Sequence, residues 1–317
     1  VAQYYTTDSL IRSIKRRCAI PANQSTFTED DFLAFINEEL SLNLVPMIMS
    51  LHEDYLLFFE DIPLSSSQSE YTIPARAVGN KLRDVQYVDS NGNVYEMTRV
   101  RVGDLPDFQG AYEVNNAYAF YIQNNKVVLT PPVQPSSSGS LRMYYYLRPS
   151  EVVSEDRIGI ITGINTLTGE IAVDSIPTNF SLGIKYDLYK FESPHRPLKI
   201  ELDATGINTT TNVVTFNPSD LPSDLKIGDH LGQARECIIP QVPSDLHVVL
   251  AQYVAERILE AQGDSEGLRN AKVKSKELEI SAGNIIDNRV EDAPTKLVNR
   301  NSVLRYALGN KRYLRRK

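Results

Sequence analysis

The sequence predicts an α+β fold: a four-helix bundle formed by both chain ends, antiparallel β-domains inserted between its second and third helices, and an extended C-terminal arm. Three observations predict it. Apolar residues recur at helical spacing near both ends of the chain. The middle consists of short runs rich in Tyr, Val and Ile, separated by turn signals. The closing stretch from Lys296 to Lys317 carries eight basic residues and no acidic one.

The first helix is expected over 7–19, where Leu10, Ile11, Ile14 and Cys18 form a stripe flanked by Arg12, Lys15, Arg16 and Arg17, and Pro21 ends it. The second opens at Thr28-Glu29-Asp30-Asp31, a capping-box pattern with carboxylates in the first turn. It continues through Phe32, Phe35, Ile36, Leu40 and Leu44 and is kinked or broken by Pro46, reaching residue 51. Six strands follow, at 70–73, 82–88, 94–99, 119–122, 126–129 and 141–147, with turns at Asn91-Gly92, Asn124-Asn125 and Ser136–Gly139.

Between Ile160 and Ile239 a pattern recurs. Thr162-Gly163-Ile164-Asn165-Thr166 returns as Thr205-Gly206-Ile207-Asn208-Thr209, and Leu182-Gly183 returns as Ile227-Gly228. The alternatives are two similar hairpins arising by chance and a true duplication. Two copies are too few for a solenoid, so a compact β-barrel or paired hairpin module is expected. Gly163, Asn165, Gly206 and Asn208 mark the two hairpins of this module.

Helices return at Pro243-Ser244-Asp245, with Ser244 as N-cap and Gly263 as stop, giving 244–262. A last helix, 265–285, carries Leu268, Ala271, Ser275, Leu278, Ala282 and Ile285 at alternating steps of three and four. Small and large residues alternate along that seam, the candidate helix-bundle or subunit interface. The domain division is then 1–54 for the N-terminal helices, 55–150 for the first β-domain, 151–242 for the inserted module, 243–288 for the αα-hairpin and 289–317 for the arm.

Composition narrows the function. The chain has 317 residues, 42% hydrophobic and 23% charged, which excludes a wholly disordered chain, a collagen-like repeat and a disulfide scaffold. The net charge is −7, and the final stretch contributes +8, so the remainder carries −15. An acidic body repels a nucleic-acid backbone, whereas the arm suits phosphate or an acidic protein groove. In the arm Lys296, Arg300, Arg305, Lys311, Arg312, Arg315, Arg316 and Lys317 are interleaved with Tyr306, Tyr313 and Leu314, which suits docking as well as charge neutralisation. The apolar stretch 40–51 is interrupted by Asn43, Pro46 and Ser50 and falls short of the roughly 18 residues of a membrane span. No secretory leader is visible, and the lack of an initiator Met implies a processed or trimmed start. Cys18 and Cys237 are expected as free thiols in a reducing compartment.

Catalytic signatures are missing from the sequence. His52, His195, His230 and His247 show no metal-ligand spacing, so no metal, no cofactor and no catalytic residue is expected. There is no nucleophile elbow, no phosphate-binding loop and no dinucleotide fingerprint. Asp229-His230 is the one candidate acid–base pair, and two polar side chains solvated in a turn are the commoner explanation of such a pair.

The stretch Tyr118-Ala119-Phe120-Tyr121-Ile122-Gln123-Asn124-Asn125-Lys126-Val127-Val128-Leu129-Thr130-Pro131-Pro132, followed by Leu141-Arg142-Met143-Tyr144-Tyr145-Tyr146-Leu147-Arg148-Pro149, resembles tailed-bacteriophage head-to-tail adaptor proteins. So do the Asn37-Glu38-Glu39 segment of the second helix, the late αα-hairpin and the basic arm. The resemblance covers residues 5–150 and 243–317 and leaves 155–240 as an insertion. It implies a structural virion protein at the head–tail junction, assembled in the host cytoplasm as a ring of twelve copies beneath the portal. The implied partners are further copies of the chain, the portal protein, tail, nozzle or tail-fibre proteins, and packaged dsDNA in transit, with no membrane. It also implies that the arm docks on the portal and that the inserted module, with Gly163, Asn165, Gly206 and Asn208, faces tail or fibre proteins. The alternative from another class is a β-sandwich binding module, for carbohydrate or host-surface attachment, on a helical oligomerisation region, with the Tyr144–Tyr146 cluster as the platform; alternation puts Tyr144 and Tyr146 on one face and Tyr145 on the other, one set being core.

Overall fold

A computed structural model describes residues 5–21, 26–65, 68–104, 119–130, 139–191 and 197–286. Helix α1 (Thr7–Arg17) buries Leu10, Ile11 and Ile14. It ends before Pro21, in a turn where Ala19 takes φ +51° and the N–H groups of Ala19 and Ile20 return to the carbonyls of Arg16 and Lys15. In α2 (Glu29–Glu39) the expected capping box forms. Asp31 N–H donates to Thr28 Oγ1 at 3.3 Å and Thr28 N–H donates to Asp31 Oδ2 at 2.8 Å, which lowers the Asp31 pKa. A π-helical turn, Leu40–Leu44, joins α2 to α3 (Val45–Leu51). Pro46 has no N–H to donate, and its ring would strike the carbonyl four residues back. Widening the turn, with Val45 N–H bonded to Leu40 O, lets the helix run past the proline.

The chain then builds β1 (Leu57–Pro63), β2 (Glu70–Thr72), β3 (Ala77–Asp89), β4 (Val94–Glu96), β5 (Thr98–Arg99), β6 (Ala119–Gln123), β7 (Lys126–Thr130) and β8 (Gly139–Leu147). These form two four-stranded sheets, ordered β1-β8-β3-β4 and β2-β7-β6-β5. All pairs in them are antiparallel except β5–β6. Val85, Val127, Leu141, Met143 and Tyr145 are buried in the core between the sheets. The hairpin at Asn91-Gly92 is as the sequence predicts: Gly92 sits at φ +84°, and Asp89 Oδ1 accepts from the N–H groups of Asn91 and Asn93. Strand β1 is absent from the sequence reading because Leu57-Phe58-Phe59-Glu60-Asp61 does not alternate.

Next come β9 (Glu151–Val152), β10 (Ile158–Asn165), β11 (Glu170–Val173), β12 (Lys185–Tyr189), β13 (Pro197–Asn208), β14 (Val213–Phe216), β15 (His230–Gln233) and β16 (Glu236–Cys237). Six of them close into a barrel in the order β10-β11-β14-β13-β12-β15. The short parallel pair β9–β16 lies at its base. It is tied to the helices by Asn37, which accepts from Val152 N–H at 2.7 Å and donates to Val152 O at 3.0 Å, and by buried Thr7, whose hydroxyl donates to Val153 O at 2.6 Å.

Helices α4 (His247–Gln262) and α5 (Ser265–Ile286) complete the described chain. The expected stop at Gly263 is present, at φ +74°. Ser244 does not cap α4: a 3₁₀ turn, Ser244–Leu246, leads in without a side-chain cap.

The expected four-helix bundle formed by both chain ends is not what the chain builds. The described structure is a mixed α/β assembly dominated by two four-stranded sheets and a six-stranded barrel. The helices make one layer in which α1, α2 and α5 pack on α4 as spokes on a hub. Their lengths, from 7 residues in α3 to 22 in α5, do not match as the staves of a bundle do. Periodicity reports which face of a helix is buried, and it does not report which element covers that face. Part of the apolar surface assigned to helix partners is covered here by Leu56, Tyr146 and Val152 from the β-regions.

Candidate functional site

The seam residues of α5 lie against α4 within the same chain. Ala271, Ser275 and Ala282 are buried, and Leu268 and Leu278 are half-buried in the same core. Ile285 falls in α5, but its side chain is outside the described ones. The small side chains let the helices approach closely enough for Gln252 Nε2 to donate to the Ala271 carbonyl at 3.2 Å. The far side of α5 is bare: Val273 and Ile280, seven residues apart, are 59% and 69% exposed.

Where the π turn meets α4 and α5 there is a groove of about 530 Å³ lined by Glu39, Asn43, Tyr253, Glu256, Arg257 and Glu279, among others. Glu39, 3% exposed, accepts from Arg257 Nε at 2.6 Å and from Asn43 Nδ2 at 2.5 Å. Arg257 also lies 3.5 Å from Glu260 and 3.7 Å from Glu38. Tyr253 donates its hydroxyl to Glu279 Oε1 at 2.9 Å. Burial raises the Glu256 pKa, and the nearby charges of Glu39 and Glu279 add to the rise, while Ser275 and Lys272 oppose it. Side chains of Glu outnumber the cations here, so the groove favours positive charge.

A second polar cluster joins the paired sheets to the barrel. Asp187 on β12 is fully buried and accepts at Oδ2 from Arg76 Nη1 at 2.6 Å, from the Tyr189 hydroxyl at 2.9 Å and from Arg235 N–H at 2.9 Å. Its Oδ1 accepts from Glu201 N–H at 2.8 Å. Arg76 Nη2 donates to Ser150 Oγ at 2.8 Å, and Ser150 N–H donates to Gln241 Oε1 at 2.7 Å. No sequence spacing reveals this network, because Arg76 and Asp187 are 111 residues apart.

The remaining candidates are structural. Asp229 does not orient His230: its carboxylate accepts from the N–H groups of Phe191 and Lys226, and the His230 ring packs on Phe191 at 5.7 Å. Burial lowers the His230 pKa. Asn165 caps its hairpin loop by accepting from the N–H groups of Leu167 and Thr168, and Asn208 does the same for Thr210 and Thr211. Gly163 and Gly206 sit opposite Ala172 and Thr215 just past register shifts in their ladders. His247 is buried. Its Nδ1 accepts from Tyr5 N–H at 3.1 Å, so Nε2 carries the proton toward the carbonyls of Pro240 and Val242. Burial takes its pKa down to about 4. Cys18 and Cys237 are buried free thiols, pushed up by burial to about 11 and about 12. Among the described residues no group of three or more His, Cys, Asp or Glu is arranged to hold a metal ion.

Of the three consecutive tyrosines, Tyr145 is fully buried and Tyr146 is 7% exposed within the helical core. Tyr144 packs beside Phe59 at 5.6 Å, so members of both alternating sets are buried and the cluster is not an open platform. The helical run Glu29–Leu51 is, by length and composition, long and apolar enough to cross a membrane, contrary to the reading of its sequence. In the fold Phe32, Ile36, Leu40, Leu44 and Ile48 from this run are buried in the helical core. The arm residues Lys296, Arg300, Arg305, Tyr306, Lys311, Arg312, Tyr313, Leu314, Arg315, Arg316 and Lys317, and also His195, lie outside the described residues.

No curated protein matches the chain. A model of the SU10 adaptor protein family matches residues 5–192, more than half of the sequence. The match covers the N-terminal helices, both four-stranded sheets and the barrel as far as β12, so 155–192, read from the sequence as foreign to any family, falls inside it. With that match over more than half of its length, the chain belongs to the SU10 adaptor protein family, a family of bacteriophage head-to-tail adaptors.

Proposed function

We propose that this structural adaptor assembles as a ring of twelve copies beneath the portal, joins the capsid to the tail and lines the passage taken by the DNA. The family match over residues 5–192 carries the reading. Two properties of the chain support its finer parts. The α5 face bearing Val273 and Ile280 is exposed among the described residues, as suits a helix meeting a neighbouring copy. The charge of −15 outside the basic stretch keeps a channel wall from trapping DNA, whose phosphates it repels.

In this reading residues 296–317 dock on the portal through their eight cations, with Tyr306, Tyr313 and Leu314 adding apolar contact, and the barrel meets tail or fibre proteins. The test is cosedimentation with the portal ring of the source virus, comparing the full chain with a truncation ending at Asp292. Stoichiometric binding by the full chain that is lost on truncation is the expected result. Binding retained by the truncation keeps the adaptor on the portal and removes the docking role from the arm. No binding by either form overturns the portal reading.

A further inference from the structure

The two Thr-Gly-Ile-Asn segments head two units that correspond strand by strand: β10-β11-β12 over 158–189 and β13-β14-β15 over 201–233. The offset is 43 residues through the hairpins and 45 afterwards. In the first hairpin Gly163 faces Ala172, Ile164 faces Ile171 and Asn165 faces Glu170, and in the second Gly206 faces Thr215, Ile207 faces Val214 and Asn208 faces Val213. Both ladders slip at one place, between Ile161 and Gly163 and between Ala204 and Gly206. The loops repeat the asparagine cap and then a left-handed residue, Gly169 at φ +75° and Asn212 at φ +53°.

Likeness of two hairpins would stop there, but the correspondence extends to contacts between the units. The Val173 N–H donates to Asn212 O at 2.9 Å, and its counterpart, Phe216 N–H, donates to Gly169 O at 2.8 Å. In the β11–β14 ladder Glu170 faces Thr215 while Ala172 faces Val213, each pair the image of the other. In β12–β15, Tyr186 faces Gln233 and Leu188 faces Leu231, again as images. The third strands are exchanged: β12 pairs with β13 of the other unit and β15 pairs with β10, so Lys185–Asp203 is the image of His230–Ile160. The turns before them repeat as well, Phe180 N–H to Pro177 O and Leu225 N–H to Pro222 O, followed by Gly183 at φ +87° and Gly228 at φ +94°.

We propose that the barrel is an intramolecular dimer: two tandem copies of one three-stranded unit, closed about a pseudo-two-fold axis by exchange of their third strands. Neither unit closes alone, since its third strand is paired with the other's first. The symmetry breaks where the barrel meets the rest of the chain. Asp187, which receives Arg76, faces Gly232, its own counterpart in the second unit. A Cβ at Gly232 would lie 2.4 Å from Ile158 Cδ1 and 3.1 Å from Glu236 O. Glu201, held at φ +55° with its N–H on Asp187, corresponds to Ile158, which packs at the barrel base with Tyr189 and Cys237. One copy thus carries the charged half of the joint to the sheets, and the other gives up its side chain to make room.

The test uses the full chain with residues 162–173 and 205–216 exchanged for one another, two segments of equal length. A single cooperative transition with Tm within about 5 °C of the parent is expected. The shift expected from altering one or two independent stabilising contacts in a chain this long is of that order. In parallel, Asn165→Ala and Asn208→Ala are compared singly, and each is expected to lower Tm by the same amount, about 2–3 °C. Loss of the cooperative transition in the exchanged chain overturns the proposal. So do asparagine shifts that differ by more than threefold, a result that does not depend on the exchanged chain folding.

Discussion

In the barrel every strand has a neighbour on each side, whereas in the helical layer α5 is covered on one side only and shows Val273 and Ile280 to solvent. Closure leaves the barrel with no strand edge to pair with another chain. Its joint to the sheets is also self-contained, because Asp187 has a donor for each of its oxygens and Arg76 has Asp187 and Ser150. The helical layer is unfinished by comparison, with an apolar stripe along α5 and an acidic groove beside it. The difference teaches where assembly energy is available. A surface that satisfies itself holds the molecule in one shape, and a surface that does not is the one through which the proposed ring would form.

Four perturbations break or sharpen this contrast, taken from the largest expected effect to the smallest. Asp187→Ala strands the Arg76 guanidinium in a buried site and takes the acceptor from the Arg235 and Glu201 N–H groups, while Tyr189 keeps only its bond with Ser150. It should destabilise the chain by about 3–5 kcal/mol, read from urea denaturation of the full protein.

Acid should act on the helical side through His247. Its folded pKa, about 4, lies below the ordinary 6.5, so the unfolded chain takes up the proton first. The stability held by the neutral ring is complete above pH 6.5 and is lost as pH falls through about 4, up to about 3 kcal/mol. Denaturation midpoints measured from pH 7.5 to 4 should fall in that window, and His247→Gln should flatten this part of the profile.

Thr28→Ala removes the side-chain acceptor at the start of α2 and should cost about 1 kcal/mol. The expected readout is faster amide exchange in the first turn of that helix, with the barrel amides unchanged. Ile280→Asp changes a side chain that is 69% exposed. Its effect on monomer stability should stay within about 0.5 kcal/mol, while ring assembly, followed by analytical ultracentrifugation, should be weakened at least tenfold. A large loss of monomer stability would show that the α5 face is already covered within the chain.

Much of this was legible in the sequence wherever the signal is local. Thr28 and Asp31 announce a capping box at fixed spacing, Asn91-Gly92 announces a hairpin, and Gly263 ends α4 where only a left-handed residue fits. The repeated Thr-Gly-Ile-Asn segments pointed to a barrel or paired hairpins because the asparagine and glycine positions are dictated by the loop itself. What was not legible depends on distance. Arg76 and Asp187, or Glu39 and Arg257, are brought together by the topology of whole sheets and helices, and neither residue carries a neighbour that signals its partner. The bundle expectation failed for the same reason: an apolar stripe on α1 or α2 is equally satisfied by a helix or by the ends of β8 and β9. Strand β1 escaped notice because Glu60 and Asp61 interrupt its apolar run, and Asp61 is held by a two-pronged pair with Arg142 of β8 at 2.7 Å, not by burial.

Joining of head to tail by this chain is tested by assembling the source virus without it. Heads and tails should accumulate separately, and adding the purified protein to the mixed extracts should restore joined, infectious particles. Complete infectious virions formed in the absence of the chain would contradict it.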